Sequence, residues 1–192
     1  MDKIELPTNK FYYGFPVIII GYKDSKFGYN ITTNSSSYSL GNMLVIATAG
    51  GSNLANNIKK YMEFSVNIPT EEMMYEIEGA GFISGDNKLS KLKLSYDISE
   101  TIDAPLLKNT PINIECKVEK IVEIDGYLNI ISKVTRRLVS ENLINENLNF
   151  NNEKFYPVFF LGDASKRVYR YLDKNIENIK NKGEFINEKG YK

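Results

Sequence analysis

The chain has 192 residues, with 24 Lys and Arg against 24 Asp and Glu, so no whole-molecule field favours nucleic acid or an anionic membrane. Its one cysteine and lack of histidine exclude an internal disulfide, a Ser-His-Asp or Cys-His couple, and any His-based zinc, iron or copper site. The length suits one domain with a buried core. If the chain is an enzyme, proton transfer near neutral pH falls to shifted carboxylates, Lys or Tyr, and an organic cofactor supplies the harder chemistry.

In chain order, Phe11–Tyr22 is strand-like and centres on Pro-Val-Ile-Ile-Ile. Val17–Tyr22 and Phe27–Thr33 flank a polar connection of hairpin length, Lys23-Asp24-Ser25-Lys26. Met43–Thr48 reads as a further strand, broken by Gly50-Gly51-Ser52-Asn53, and a helix follows from about Asn53 to Tyr61. Phe64–Ile68 alternates apolar and polar residues and stops at Pro69. Thr70 is a candidate N-cap for a second helix with acids in its first turn, ending near Gly79. Residues 80–110 read as irregular. Ile112–Ile124 and Tyr127–Leu138 form the clearest hairpin, because Asp125-Gly126 favours a two-residue type I′ turn. Asn142–Lys154 reads as an exposed connection. Pro157 suits a strand start, since it cannot donate to a ladder, and Val158–Leu161 reads as the last strand. A C-terminal helix is expected from Asp163 or Ser165 to about Lys180, with a loose tail after Gly183. Many strands with few helices predict a mainly β fold, a closed barrel with peripheral helices. The longest apolar run, Val17–Ile20, is too short to span a membrane, and Asp2, Lys3 and Glu5 do not fit a signal peptide, so the cytoplasm is the expected location.

Chemistry is expected where short polar side chains sit between apolar strands. Ile31–Leu40 carries Thr32, Thr33, Asn34, Ser35 and Ser36, which can point donors and acceptors into a cleft or simply face water as a polar edge. Gly50-Gly51-Ser52-Asn53 lies between a strand and a helix, where small residues and free N–H groups suit a phosphate; Ser52 or Asn53 is equally a plain N-cap. Cys116 falls on the apolar face of an alternating strand and reads as core. Tyr12, Tyr13 and Phe15 read as packing, Arg136-Arg137 as a solvated strand end, and Glu71, Glu72, Glu76 and Glu78 as a solvated helix face.

The same segments resemble a known family, in order along about residues 11–165. Thr32, Asn34 and Ser35 with Ser39-Leu40 are similar to the "T-x-N-S … S-L" signature of flavin reductase-like proteins, flavoredoxins included. Asn57-Ile58 with Glu63–Asn67 resembles "N-I … G-x-F-x-V-N". Gly81, Ser84-Gly85 and Asp86-x-Lys88-Leu89 resemble "G-x-x-S-G … D-K-F". Ala104–Leu107 and Ile114–Val118 resemble "A-P-x-I … L-E-C-x-V", and Tyr156 with Phe159–Gly162 the closing "Y … Y-x-L-G". The chain departs where Gly41-Asn42-Met43-Leu44 replaces a Pro pair, and where Leu54 and Ala55 stand near the place of a basic or hydroxyl residue.

The resemblance implies an FMN-binding split β-barrel of Greek-key-like build, with residues 1–165 as the domain and 166–192 as a helix and tail belonging to it. It implies a flavin-dependent oxidoreductase passing electrons from NAD(P)H through bound flavin to a redox partner protein or small acceptor. The cofactor expected is FMN, with FAD as the other candidate, in a homodimer that uses neither nucleic acid nor membrane. The implied flavin-binding residues are Thr32, Thr33, Asn34, Ser35, Ser36, Ser52, Asn53, Asn57 and Lys88, the last pairing with the phosphate. A flavin carrier without NAD(P)H activity, and a barrel binding another small anion, remain open alternatives.

Overall fold

The computed structural model describes residues 3–173. Twelve strands and three α-helices follow in order: β1 (Phe11–Pro16), β2 (Ile18–Asp24), β3 (Gly28–Asn34), β4 (Ser37–Leu40), β5 (Met43–Ala49), α1 (Asn53–Tyr61), β6 (Glu63–Ile68), α2 (Met74–Phe82), α3 (Lys88–Lys91), β7 (Tyr96–Ile98), β8 (Pro105–Leu107), β9 (Ile112–Ile124), β10 (Tyr127–Val139), β11 (Val158–Asp163) and β12 (Arg167–Tyr171). Seven strands make one antiparallel sheet in the order β3-β2-β6-β9-β10-β5-β4. Its edge strands, β3 and β4, are consecutive in the chain and joined through Ser35-Ser36, so the sheet curls until its ends meet. Asn34 Nδ2 donates to Ala47 O at 2.8 Å and Ala47 N to Ser36 O at 2.8 Å, sealing the seam between β3 and β5. A second sheet, β1-β11-β12, and the short pair β7-β8 lie outside this barrel.

Strand β2 shows why its apolar run is continuous. Ile18, Ile20 and Tyr22 point into the barrel with Ile46, Phe64, Leu128 and Ile130. Val17 just before it and Ile19 point the other way, into a second core under α2 with Ile77, Ala80 and Leu107. With both faces covered, the alternation expected of a half-buried strand disappears. Cys116 is fully buried in the barrel core, and burial pushes its thiol up to about 12, so it packs as a small hydrophobe.

The long hairpin forms as its turn predicts, with Asp125 and Gly126 both at positive φ, 50° and 78°. Other expectations need correction. The Phe11–Tyr22 run divides at Pro16 into two strands of different sheets. Thr70 makes no side-chain cap; a 3₁₀ turn over Glu71–Met73 precedes α2, which continues to Phe82. Gly79 does not end the helix: it lets α2 approach Leu92, whose Cδ2 an added Cβ would strike. The stretch 80–110 contains α3, β7 and β8. The helix expected from Asp163 or Ser165 is a strand over Arg167–Tyr171, and the rest of that expectation, to Lys180, lies outside the described residues.

Candidate functional site

Two cavities share a wall made by Thr33, Asn34, Thr48 and Gly81. The first, about 560 Å³, is polar and runs between the N-terminus of α1, the loop Ile83–Asp86, Lys88 and the β2–β3 turn at Lys26-Phe27. The second, about 350 Å³, lies beyond the wall and is lined by Ser35, Ser36, Tyr12, Phe82, Tyr127 and Phe160 among others.

The polar cavity gathers groups that can hold an anion. Ser52 is the N-cap of α1: its hydroxyl accepts from Ala55 N at 3.0 Å and lies 3.2 Å from Thr48 Oγ1. Asn53 and Leu54, the first two helical residues, face this cavity, and their amides have no carbonyl one turn back to bond within the helix. At Gly51 an added Cβ would meet nothing within 4 Å, so the backbone lies open to a ligand. Opposite, Lys88 is only 9% exposed, and its ammonium donates to Ala80 O at 2.6 Å and Thr32 Oγ1 at 3.4 Å. Among the described residues no carboxylate pairs with it. Burial therefore lowers its pKa below the usual lysine value without an opposite charge to restore it.

Several expected side chains are spent on the scaffold. Asn34 ties β3 to β5 through Nδ2, while its Oδ1 accepts from Ser36 N at 2.7 Å, fixing the turn that presents Ser35 and Ser36. Asn53 Nδ2 donates to Asp24 Oδ2 at 2.6 Å and Tyr22 Oη at 3.1 Å, and its Oδ1 accepts from Asn57 at 3.1 Å. Thr33 Oγ1 donates to Ile77 O at 2.5 Å. Asn57 lines neither cavity: it accepts from Ser25 N at 2.9 Å and donates to Asn53, docking the β2–β3 turn onto α1.

Beneath lies buried Asp24. Burial works against its carboxylate, but N–H donors from Lys26, Asn53, Phe27 and Asn30 outweigh that and hold it below the usual range. Such a group stabilises the fold above its unfolded pKa, and the gain is lost as pH falls through the lowered folded value. Acid unfolding of Asp24→Asn should accordingly be less steep between about pH 4 and the lower folded pKa, followed by circular dichroism.

Sequence reasoning did not assign Tyr127, Arg167, Tyr169, Phe82, Ser84 or Phe27 to the site. They come from five separate segments, Arg167 and Tyr169 sharing β12, and only the topology brings them together. Tyr12, read as packing, lines the second cavity.

The "Flavin reductase like domain" family matches residues 12–158, most of the chain. The chain belongs to the flavin reductase-like family. The solved structure of flavoredoxin from Desulfovibrio vulgaris (Miyazaki F) is similar with a TM-score of 0.84 at 20% identity, covering 95% of this chain and all of that one. Flavoredoxin from Methanosarcina acetivorans gives 0.83 at 20% identity, covering 97% of this chain and 100% of that one. These likenesses make the fold a flavin reductase split barrel. An uncharacterized protein of Aquifex aeolicus (strain VF5) is 29% identical over 125 residues, covering 62% of this chain but 64% of the relative, just under two thirds of its length.

In this flavin reductase-like barrel the segments that carry the resemblance have visible tasks. Thr32, Thr33 and Asn34 end β3 against the polar cavity, Ser35 follows in the wall of the second, and Ser84-Gly85-Asp86 of the α2–α3 loop with Lys88 of α3 faces the polar one. Glu63–Asn67 lies in β6, whose Asn67 is a fully buried bonding node. Ala104–Leu107 contains β8, which accepts the Ser65 hydroxyl at Pro105 O, 2.5 Å away. No helix among the described residues is long and apolar enough to cross a membrane.

Proposed function

We propose that this flavin-related oxidoreductase binds FMN across both cavities, its phosphate in the polar one and its ring system in the aromatic one. The observation that carries this reading is Lys88, a buried cation with no acid partner among the described residues, facing the open N-terminus of α1 across a cleft that continues into an aromatic chamber. Gly51, Ser52, Asn53 and Leu54 would supply amide and hydroxyl donors to the phosphate, with Lys88 as its counter-charge. Thr32, Thr33 and the turn Asn34–Ser36 would wall the polar edge of the ring, Asn34 by shaping that turn and Asn57 by holding α1. Tyr12 and Phe160 would exclude water. When bound, the flavin supplies the electron-transfer chemistry; the protein binds, orients and tunes it. FMN fits better than FAD because the cleft holds one buried cation.

NAD(P)H is the proposed electron donor, and a small molecule or redox protein the acceptor. The cytoplasm is the proposed location and a homodimer the proposed assembly, the latter supported by exposed apolar residues such as Phe82 (78%), Tyr13 (73%) and Phe11 (61%). Sedimentation at the mass of two chains checks it, and a monomer at micromolar concentration contradicts it. The lack of histidine favours a second reading, a flavin carrier without NAD(P)H activity, because no imidazole can serve proton transfer at the ring. Anaerobic mixing of the FMN-loaded protein with NADH or NADPH separates the two: bleaching of the visible band shows an enzyme, and a stable spectrum shows the carrier. A protein that takes up no FMN in a spectroscopic titration contradicts both.

The lowered pKa of Lys88 gives this site a pH signature. FMN affinity should decline in the alkaline range at a pH below that of an ordinary lysine, as the ammonium loses its proton. The apo protein should respond oppositely. Between the lowered folded pKa and the unfolded one, the unfolded chain holds more protons, so stability rises with pH. FMN titrations and urea unfolding from pH 7 to 10 read both trends, and parallel trends would remove Lys88 from the phosphate site.

A further inference from the structure

Asn30, on β3, borders the polar cavity yet is only 1% exposed. Both ends of its amide are occupied. Nδ2 donates to Asp86 O at 3.0 Å and Asp24 Oδ2 at 3.3 Å, while Oδ1 accepts from Lys88 N at 3.1 Å and Ile31 N at 3.0 Å. One side chain thus holds the main chain on either side of Asn87, the residue that caps α3. Through Asp24 it also reaches α1, because Asn53 Nδ2 donates to the same Oδ2 at 2.6 Å. Among the described residues no other side chain bonds both Asp24 and the segment around Lys88.

The other polar side chains of that segment serve it locally. Asp86 Oδ1 accepts from Asn87 N at 2.9 Å, Asp86 Oδ2 pairs with Lys91 at 2.8 Å, and Asn87 Oδ1 accepts from Ser90 N at 3.1 Å. None of these bonds ties the segment to α1. Lys88 is therefore held at both ends, its backbone by Asn30 and its ammonium by Ala80 O and Thr32 Oγ1. The remaining titratable groups on the cavity have partners of their own. Asp24 accepts four N–H groups, Tyr22 Oη accepts from Asn53 Nδ2, and the exposed Lys26 lies over the Phe27 ring at 4.8 Å.

We infer that Asn30 is the positioning residue of the anion site: it fixes the gap between Lys88 and the N-terminus of α1, and keeps the ammonium buried where a phosphate ester meets it. Asn30 touches no ligand and acts through Lys88. This rests on the flavin reading and names the residue that makes its phosphate grip rigid. A cation set in place before the ligand arrives loses less conformational freedom on binding than a free lysine does. The same clamp holds Lys88 away from water, so loosening it changes the charge state of the site as well as its shape.

The test compares the full-length wild type with Asn30→Ala and Asn30→Ser, by FMN and riboflavin titration and by urea unfolding of the apo protein, from neutral to alkaline pH. Asn30→Ala should weaken FMN about tenfold, the lower end of what a hydrogen bond to a charged group contributes, and leave riboflavin unchanged. Its remaining FMN affinity should persist to a higher pH than in wild type, because an ammonium released to water regains a higher pKa. The rise of apo stability with pH should flatten for the same reason. Asn30→Ser, with one donor and one acceptor on a shorter side chain, should lie between the two. Asn67→Leu lines neither cavity and controls for lost stability alone; it should move neither pH trend. Unmoved pH trends in both Asn30 variants overturn the inference and leave the flavin reading intact, as do equal losses for FMN and riboflavin. A wild type that takes up no FMN removes the phosphate from the site and overturns both.

Discussion

Replacing Lys88 with Met should weaken FMN binding by roughly 10- to 100-fold, because a hydrogen bond to a charged group contributes about 1.5–3 kcal/mol. Fluorescence titration reads the change directly. Riboflavin, which lacks the phosphate, should bind wild type and variant alike. The substitution should not cost stability. Among the described residues no carboxylate pairs with the buried ammonium, so removing it removes a desolvation penalty that outweighs the loss of its bond to Ala80 O, while the aliphatic stem is kept. The apo variant should therefore unfold at the same urea concentration as wild type or a higher one. Unchanged FMN affinity, or equal losses for FMN and riboflavin, would place the phosphate elsewhere.

Replacing Asn67 with Leu should instead destabilise the fold, by about 3 kcal/mol or more. Asn67 is fully buried on β6 and its amide makes four bonds. Nδ2 donates to Ile19 O and Ser65 Oγ, each at 3.1 Å. Oδ1 accepts from Leu107 N at 2.8 Å and Asn113 Nδ2 at 2.7 Å. One side chain thus joins β2, β8 and β9 to β6. Leucine matches the bulk and satisfies none of these groups. Asn113 retains Thr110 Oγ1 at 2.8 Å, but Leu107 N is left buried without its acceptor. Urea denaturation with an unchanged slope and a shifted midpoint measures the loss. A change under about 1 kcal/mol would mean that water or rearrangement satisfies the orphaned groups.

Local chemistry made parts of this fold readable. Asp125-Gly126 announces the β9–β10 hairpin because only a few residues tolerate positive φ at both turn positions. Gly50-Gly51-Ser52 announces α1 because a hydroxyl placed there caps a helix. Strand β12 was hidden: Arg-Val-Tyr-Arg-Tyr has no distinctive turn dipeptide before it, and it becomes a strand by pairing with β11. Gly79 misled for a related reason, since its lack of a side chain serves a tertiary contact with Leu92 and not a helix end.

The site divides along the same line. Lys88, Ser52 and the Thr32–Ser36 turn were legible from residue type, position and the resemblance. Whether an amide faces ligand or scaffold was not, because Asn34, Asn53 and Asn57 are chemically equal in the sequence. Their partners, Ala47, Asp24 and Ser25, follow from strand register and turn docking. The aromatic chamber draws on β1, α2, β10, β11 and β12, which no local pattern could unite.

A crystal structure of the protein grown with excess FMN tests the central claim most directly. The account predicts the phosphate within hydrogen-bond reach of Lys88 Nζ and the amides at Asn53 and Leu54, and the ring system beside Ser35 and Ser36. Electron density for FMN elsewhere, or both cavities occupied by the protein's own side chains, would contradict it.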